Sequence, residues 1–341
     1  MNDAATKSIP TNASQVVTVT IKGEPVTVEF VDLTEWDLIA VSTSGGKDSQ
    51  AMLDALVELA EHLGVRDRLV CVHADLGRVE WEGARELAEE QASYYDLPFI
   101  VVSRTGTIGN GQMKWTKTGR NGGSSCPGMP LYAEGETRGD LLDHVEHRAA
   151  QLRSQGNDPI AWYSAASRYC TADHKRGPIG KAFTAIAKAW QSENGESRPC
   201  RILDCQGLRA EEGHNRAKKG SSKVRTSTKT QHVETWLPIQ DWMTENVWDR
   251  IRAAGTRHHG AYDFGMPRLS CVFCCYATRE GLTLAGKHNR ALLSEYVAAE
   301  KDMGFSFKPE VSLAEIEADI EAGVEVNPMS MEDWSDGGCS G

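Results

Sequence analysis

Short apolar runs alternate with amphipathic stretches through the centre of the chain. The apolar runs predict buried strands at Leu38–Val41, Leu69–His73, Phe99–Val102 and Arg201–Cys205. The amphipathic stretches predict helices at Gln50–Val57 and Glu80–Tyr95. Because this alternation is typical of a parallel sheet with helices on both faces, we expect an α/β fold with a doubly wound parallel sheet. Ligands of such a sheet bind beyond the carboxyl ends of its strands.

Two β-branched runs precede this pattern. Val16–Ile21 and Val26–Phe30 flank a turn that contains Gly23 and Pro25. The arrangement predicts a β-hairpin, added in front of the central sheet. Residues 1–15 before it are polar.

The segment from Ser103 to Met129 is rich in glycine and has little periodicity. It contains Lys114, Lys117 and Arg120. A segment this long without regular structure is usually functional or disordered. We interpret it as a flap over the bound ligand, with plain disorder as the alternative.

Composition favours a cytoplasmic protein with no membrane partner. No stretch of the 341 residues approaches the roughly 18 to 20 apolar residues of a membrane span, and the first residues lack the apolar core of a secretory signal. The formal net charge is −11. However, the segment Arg209–Lys229 contains seven Lys or Arg and two Glu. We expect this basic strip to bind DNA or RNA. Nine acids and no Lys or Arg follow Lys308.

A glycine-rich turn joins the first central strand to its helix. The residues are Ser44-Gly45-Gly46-Lys47-Asp48-Ser49. Such a turn is an anion site, because the glycines let the backbone approach a phosphate and the N–H groups of the helix start point at it. Lys47 adds a cation on what we expect to be a surface loop. A Walker A loop is excluded, since it needs Gly at 41 and Ser or Thr at 48, where the chain has Val41 and Asp48.

Two further motifs carry groups suited to a nucleotide. Asp75 ends the second predicted strand within His73–Gly77, and its carboxylate suits a magnesium ion or a ribose hydroxyl. A simple turn residue is the alternative. Arg209 and Arg216, within Gly207–Ala217, suit phosphate or sulfate because a guanidinium binds oxyanions through two parallel hydrogen bonds. A solvated basic helix is the alternative there.

The ordered motifs resemble the PP-loop ATP-pyrophosphatase and phosphoadenosine-phosphosulfate (PAPS) reductase superfamily. Ser44–Ser49 is similar to the PP-loop, and Gly207–Ala217 to the stretch Gly-x-Arg-x-x-Glu-Ser-x-x-Arg-Ala, with Gly213 where Ser is usual. Trp236–Trp248 resembles its Pro-Ile-x-Asp-Trp, Asp-Val-Trp segment, which predicts a turn and a helix capped by Thr244. The resemblance covers residues 37–290 and implies an adenine nucleotide alpha-hydrolase-like fold that binds ATP or PAPS with Mg²⁺. The implied nucleotide-binding residues are Ser42, Ser44, Gly45, Gly46, Lys47, Asp48, Ser49, Asp75, Arg209 and Arg216, with Lys47 and Asp48 catalytic.

The nine cysteines are clustered, which favours metal or redox chemistry over disulfides. Cys271 and Cys274 form a Cys-x-x-Cys pair, with Cys275 adjacent, and Cys170 lies far upstream. Such a pair presents two thiolates to one metal, and a distant cysteine completes the site by folding. Cys71 and Cys205 lie in apolar strands, where core packing is expected.

The cysteine spacing resembles the iron–sulfur subset of the superfamily. That subset contains the adenylylsulfate reductases and the PP-loop subunit of DNA phosphorothioation systems, and the single cysteine at 170 is closer to the latter. The resemblance implies a [4Fe–4S] cluster, with a fourth ligand from Cys275, Cys126 or an exogenous sulfur. Zinc with help from His258 or His259, and free thiols, are the alternatives. The proposed ligands are Cys170, Cys271, Cys274 and Cys275.

Three functions remain open at the level of sequence. The first is an enzyme that cleaves ATP to AMP and pyrophosphate and adenylates a nucleic acid for sulfur transfer, with a donor such as a cysteine desulfurase. The second is a PAPS or adenylylsulfate reductase, in which Cys339 would be the nucleophile. No base or cation flanks Cys339, and the surrounding acids raise a thiol pKa, which disfavours this role. The third is a non-enzymatic subunit that senses a nucleotide.

Four segments are expected. An N-terminal extension with the β-hairpin covers 1–36, and a PP-loop nucleotide-binding domain covers 37–240. A C-terminal helical region that contains the cysteines and binds the metal covers 241–308. The remaining residues, 309–341, are expected to form an acidic tail.

Overall fold

A computed structural model describes residues 14–21, 24–109, 112–115 and 136–326 of the chain, with side chains described within 31–105 and 139–326. Cys126, Lys117, Arg120 and Cys339 lie outside the described residues. No described helix has the length and apolar character that a membrane crossing requires.

Six strands form the central sheet. The predicted strands are present and slightly longer than expected, and the parallel arrangement is confirmed, since β9, β3, β4 and β5 are parallel neighbours. Two further strands, β10 and β11, extend the sheet, with β11 parallel to β9 and β10 antiparallel at the edge. The strands are β3 Leu38–Thr43, β4 Leu69–Asp75, β5 Phe99–Ser103, β9 Cys200–Gln206, β10 Ser222–Ser227 and β11 Gln231–Trp236.

Helices cover both faces of this sheet. Successive strand residues point to opposite faces. Accordingly Val41 packs in one apolar cluster with Met52 of α1 (Lys47–His62), whereas its neighbour Ala40 packs in another with Phe183 of α5 (Gly177–Asn194). The doubly wound α/β fold is therefore confirmed.

Two smaller sheets lie outside the central one. The predicted hairpin is confirmed as β1 Ser14–Ile21 paired antiparallel with β2 Glu24–Val31. The expectation of little regular structure after Ser103 was wrong at its start, because β6 Thr105–Gly109 pairs with β7 Gln112–Trp115 and β8 Glu136–Arg138. Glycine and threonine in β6 conceal the apolar alternation that marks a strand. The flap itself stays a prediction.

A second core is formed by helices and the loops between them. It combines α3 Leu141–Ser154 with α8 Arg279–His288, α9 Arg290–Met303 and α10 Leu313–Glu321. Tyr163, Phe273 and Tyr296 are fully buried in it. Because α3 precedes residue 240, this core crosses the expected limit between the nucleotide-binding and cysteine-containing segments.

The expected acidic tail starts with ordered structure. Leu313 and Ile316 of α10 are fully buried in the helical core, so residues 313–321 are a packed helix rather than a tail. Buried Glu300 anchors this turn, since it accepts hydrogen bonds from the backbone N–H groups of Phe307 at 2.6 Å and Leu313 at 3.0 Å. The acidic composition belongs to the exposed side of an amphipathic helix.

The remaining helices connect these two cores. α2 begins at Ala84 and not at Glu80 as predicted, because Gly83 has a φ of +83° and Glu80 instead forms a β-bridge with Cys271. α7 begins at Thr244, but Thr244 is not its cap: Met243 holds that position, and the Thr244 hydroxyl donates to Glu211. These helices are α2 Ala84–Tyr94, α4 Tyr169–Thr171, which continues through a π-turn into α5, α6 His214–Ala217 and α7 Thr244–Ala254.

Candidate functional site

The glycine turn lies at the carboxyl end of β3, where α1 begins. Gly45 has a φ of +71°, and a Cβ there would lie 2.3 Å from the carbonyl oxygen of Ala84. Gly207, after β9, passes so near the loop that a Cβ would lie 3.0 Å from the backbone of Asp48. Both positions therefore require glycine, because any side chain would push the loop away from the neighbouring backbone.

Serine hydroxyls fix the shape of the turn. Ser49 donates to the carbonyl of Gly46 at 2.9 Å and accepts from the N–H of Ser44 at 3.2 Å. Ser42 instead donates to buried Asp204 at 3.2 Å. Ser44 is exposed at the tip of the turn, so of these three hydroxyls it is the one that faces solvent.

Lys47 is buried, contrary to the expectation of a surface loop. Its side chain is 1% exposed, and Nζ donates to Asp48 Oδ2 and to the carbonyl oxygen of Pro267, both at 3.0 Å. Its backbone N–H, at the first turn of α1, donates to the hydroxyl of Tyr262 at 2.8 Å. Residues 262–267, from a distant part of the chain, thus cover the start of α1.

Asp48 is held between two cations. Its Oδ1 lies 2.6 Å from Nε of Arg209, and its Oδ2 lies 3.0 Å from Lys47 Nζ. Burial opposes ionisation, but the positive charges of Lys47 and Arg209 and their hydrogen bonds outweigh it and hold the pKa of Asp48 below its ordinary value. Asp48 is therefore a carboxylate at neutral pH.

Arg209 is fully buried among acceptors. Besides Asp48, it pairs with Glu211 and donates to Thr244 Oγ1 at 3.1 Å. Its guanidinium is thus directed into the protein, where it positions Asp48. Its predicted contact with a phosphate or sulfate stays a prediction, to which this geometry gives no direct support.

Arg216 and a second arginine share one carboxylate. Glu212 pairs with Arg216 and lies 3.5 Å from the guanidinium of Arg268. Burial lowers the pKa of Arg268, but the negative charges of Glu212, Cys274 and Asp48 raise it above its ordinary value. Arg268 therefore lies between the glycine turn and the cysteines. Sequence reasoning missed it, because nothing in Pro267-Arg268-Leu269 marks a site.

Asp75 lies at the carboxyl end of β4, the strand next to β3. It is 8% exposed, accepts the N–H of Gly77 at 2.8 Å, and has Arg85 at 3.7 Å from its other oxygen. The carboxylate shapes the turn that follows β4 and lies at the same edge of the sheet as the glycine turn. Its role toward magnesium or ribose stays a prediction.

The cysteines Cys170, Cys271 and Cys274 gather near this edge, since Cys271 forms a β-bridge with Glu80 just beyond β4 and the charges of Cys274 and Cys170 act on Cys271. A hydrogen bond from Cys275 lowers the pKa of the Cys274 thiol to about 6, with burial opposing and Arg268 assisting. The same hydrogen bond, with burial, raises the pKa of Cys275 far above its ordinary value. Cys275 is thus the proton donor of the pair.

The assignment of Cys170, Cys271, Cys274 and Cys275 as ligands of an iron–sulfur cluster stays a prediction. Within residues 31–105 and 139–326, no group of three or more His, Cys, Asp or Glu side chains is arranged to hold a metal ion. The chemistry of the donors nevertheless fits an iron–sulfur cluster, because cysteine thiolates are its ligands and the cations Lys175 and Arg268 act on these thiols.

His258 and His259, the histidines considered for a zinc site, make hydrogen bonds within the protein. His259 uses one ring nitrogen toward the carbonyl of Glu82 at 3.0 Å and the other toward the N–H of Ala261 at 3.1 Å. His258 contacts Asp263 at 2.8 Å. Cys71 and Cys205 are fully buried in the sheet core, as predicted.

Comparison with known proteins gives a family match over part of the chain. Residues 139–277 match the family model described as phosphoadenosine phosphosulfate reductase domain. The matched range contains Arg209, Arg216 and the cysteines at 170, 271 and 274, but not the glycine turn. These residues are therefore similar to that domain, and the resemblance of the chain to the PP-loop and PAPS reductase superfamily is confirmed.

Curated relatives match a shorter stretch. The chain is 36% identical over 79 residues to the cytoplasmic tRNA 2-thiolation protein 1 of Mus musculus, and 35% identical over 79 residues to that of Bos taurus. The stretch is 23% of this chain and 18% and 21% of those proteins, so the chain spans about a fifth of the length of the curated relatives it matches.

Two solved structures align with this chain at low sequence identity and low TM-score. The phosphoadenylyl-sulfate reductase of Candida auris aligns with 12% identity and a TM-score of 0.37 over 70% of this chain and 84% of that one. The U34-tRNA thiolase NcsA of Methanococcus maripaludis, with its [4Fe-4S] cluster, aligns with 11% identity and a TM-score of 0.27 over 88% and 81%.

Proposed function

We propose that this protein is a PP-loop enzyme that binds ATP at the glycine turn, cleaves it to AMP and pyrophosphate, and adenylates a nucleic acid for sulfur transfer. One observation carries the proposal: the carbonyl oxygen of Pro267, four residues before Cys271, accepts a hydrogen bond from Lys47 Nζ of the turn at 3.0 Å, and the charges of Asp48 and Cys274 both act on the adjacent Arg268. This contact supports a nucleotide site next to the thiols, as a reaction that couples adenylation to sulfur chemistry requires.

The chain's own residues bind and orient the nucleotide in this proposal. The glycine turn and the N–H groups at the start of α1 bind the phosphates, because a helix N-terminus favours anions. Lys47 stabilises the charge that develops on the departing pyrophosphate, and Asp48 holds Lys47 in place through its 3.0 Å ion pair. Asp75 is proposed to hold the Mg²⁺ that accompanies ATP.

The bond changes follow from this placement. An oxygen of the acceptor attacks the α-phosphorus, and the bond to the bridging oxygen of the β-phosphate breaks, so that pyrophosphate leaves with the electron pair. Sulfide then attacks the acceptor carbon that is bonded to this oxygen. The bond between that carbon and the oxygen breaks, and the oxygen departs as part of AMP. A [4Fe–4S] cluster on Cys170, Cys271 and Cys274, when bound, supplies a site that holds this sulfur.

The curated relatives support a nucleic acid as the acceptor. These relatives are named for tRNA 2-thiolation, and the chain shares 36% identity with one of them over 79 residues. The exposed lysines at 218, 219, 223 and 229 lie within the predicted basic strip and support a polyanionic partner. A cysteine desulfurase is the proposed class of sulfur donor.

The test is release of pyrophosphate and AMP from ATP by anaerobically prepared protein, alone and with tRNA or duplex DNA. The proposal expects release that rises when the acceptor is present. Absence of ATP cleavage under all three conditions contradicts it and leaves a reductase or a nucleotide-sensing subunit.

A reductase is the second candidate, favoured by the family match over residues 139–277. Its nucleophile would be Cys339. Truncation after Asp333 decides between the two, because ATP cleavage should survive it. A thioredoxin-dependent release of sulfite from PAPS or adenylylsulfate that the full chain shows and the truncated chain loses would establish the reductase.

A further inference from the structure

A cluster of four cations lies beside the cysteines. Arg216 and Lys219 come from the predicted basic strip, whereas Arg168 and Arg268 come from segments about 50 residues away on either side. Only the tertiary structure brings them together, and Arg268 was not singled out by the sequence.

The contacts within the cluster are specific. Glu212 pairs with Arg216 and lies 3.5 Å from Arg268, which ties these two guanidinium groups to one carboxylate. Lys219 follows within the same turn, its N–H donating to the carbonyl of Arg216 at 3.1 Å. Its pKa is lowered, first by burial and then by the positive charges of Arg216 and Arg168.

The cluster is short of counter-charge. Glu212 is the carboxylate that pairs with Arg216 and Arg268, and it is almost fully buried, with 2% of its side chain exposed. The Arg168 guanidinium lies 5.4 Å from the Tyr276 ring and donates to Thr171 Oγ1 at 3.4 Å. Asp48 and Cys274 also act on Arg268, but Asp48 is already paired with Lys47 and Arg209, so among the described residues the positive charges of the cluster exceed the negative ones, and this imbalance attracts anions.

We propose that Arg168, Arg216, Lys219 and Arg268 form a phosphate-binding site for the backbone of a nucleic acid, placed next to the cysteines. The inference rests on the proposed function and deepens it, since it names the residues that hold the acceptor. Arg168 and Lys219 are exposed and can reach a large ligand, while Arg216 and Arg268 are half-buried behind them.

The position of the proposed phosphate site places a bound nucleic acid near the cysteines. Arg168 is two residues from Cys170, and its ring partner Tyr276 is two residues from Cys274. A backbone phosphate bound here brings a neighbouring base close to the sulfur-bearing thiols. Lys229 of the strip does not share this property, because it lies beside the start of β11, at the amino ends of the parallel strands and at the far edge from the site.

The test measures binding of tRNA and of duplex DNA to nucleotide-free protein as a function of salt. The variants are Arg168→Ala, Lys219→Ala and their combination, with Lys188→Ala as the matched control, an exposed lysine on α5. Each lost phosphate contact should reduce the salt slope by about 1 and weaken binding about five- to eightfold at 0.1 M salt. The control should bind as the unaltered protein does, and thermal unfolding should show that all variants are folded.

Loss of affinity for tRNA alone, or for DNA alone, supports the site and identifies the acceptor. Unchanged affinity and slope for both polymers in the double variant overturn the proposal. So does a loss of ATP affinity with nucleic-acid binding retained, because the cluster would then hold the nucleotide's own phosphates. The proposed ATP cleavage is tested separately from this binding site. Pyrophosphate release by the unaltered protein without nucleic acid reports on the glycine turn and does not depend on the four cations.

Discussion

The hydroxyl of Tyr262 accepts a hydrogen bond from the backbone N–H of Lys47 at 2.8 Å. This N–H belongs to the first turn of α1, where a phosphate is expected to bind. A Cβ on Gly46 would lie 3.3 Å from the same hydroxyl, so the tyrosine oxygen sits directly over the glycine turn. Tyr262 therefore occupies a hydrogen-bond donor of the proposed nucleotide site, and the segment that carries Tyr262 continues to Cys271.

Removal of this hydroxyl should strengthen nucleotide binding. In Tyr262→Phe the ring remains, but the Lys47 N–H is free for a phosphate oxygen. Since a typical hydrogen bond contributes about 1 kcal/mol net, we expect the Kd for ATP to fall about fivefold. Isothermal titration calorimetry measures it. Tyr94→Phe is the control, because that hydroxyl likewise makes a hydrogen bond to the backbone, donating to the carbonyl of Ala254 at 3.1 Å, but on the exposed surface. Weaker or unchanged binding in Tyr262→Phe contradicts the prediction.

Gly45 and Gly64 form a matched pair for testing the turn. Their φ angles are +71° and +69°, but a Cβ on Gly45 would lie 2.3 Å from Ala84 O, whereas a Cβ on Gly64 would meet nothing within 4 Å. Both alanine variants should lose about 1 kcal/mol of stability from the backbone strain. Gly45→Ala should in addition abolish detectable ATP binding, while Gly64→Ala binds normally. Equal ATP affinity in the two variants would remove the glycine turn from the nucleotide site.

Asp48 should contribute strongly to stability, because it neutralises buried Lys47 and Arg209. Asp48→Asn leaves these cations with fewer negative partners, and we expect the free energy of unfolding to fall by about 3 kcal/mol. Asp67→Asn, on an exposed carboxylate, should change it by less than about 0.5 kcal/mol. Urea unfolding at pH 7 measures both. A loss below 1 kcal/mol in Asp48→Asn is incompatible with the ion pairs described.

The same carboxylate predicts a pH dependence. The folded pKa of Asp48 is lower than its ordinary value of 3.8. Ionisation thus favours the folded state, and the contribution is complete above pH 3.8 and lost as the pH falls through the folded pKa. The stability difference between the unaltered protein and Asp48→Asn should be constant from pH 7 to 5 and should shrink only in acid. A difference that shrinks between pH 7 and 5 would show that the folded pKa is raised.

Anaerobically purified protein should be brown, from a thiolate-bound iron–sulfur cluster. Cys170→Ser, Cys271→Ser and Cys274→Ser should each remove the visible absorption and the bound iron. Cys205→Ala is the control, since its thiol is fully buried in the sheet core. Colourless protein with one zinc per chain, or colour that survives all three substitutions, contradicts the cluster.

The sequence by itself determined the parallel sheet and the glycine turn. Leu38–Val41 and its counterparts are continuous apolar runs because parallel strands are buried on both faces, and this leaves a clear signal. Gly45 was identifiable because only glycine tolerates its φ and the close approach of Ala84. The polar edge strand β10 and the threonine- and glycine-containing β6 carry no such pattern, so neither was predicted.

Only the tertiary structure decided which charges meet. Arg209 looked like a phosphate ligand by its type and motif, yet the fold surrounds it with Asp48, Glu211 and Thr244. Arg268 carried no motif, yet the fold places it between Asp48 and Cys274. The type of a residue determines that its side chain can bind an anion. Whether this anion is a bound ligand or a neighbouring carboxylate depends on contacts between residues far apart in the chain. Local sequence does not encode these contacts.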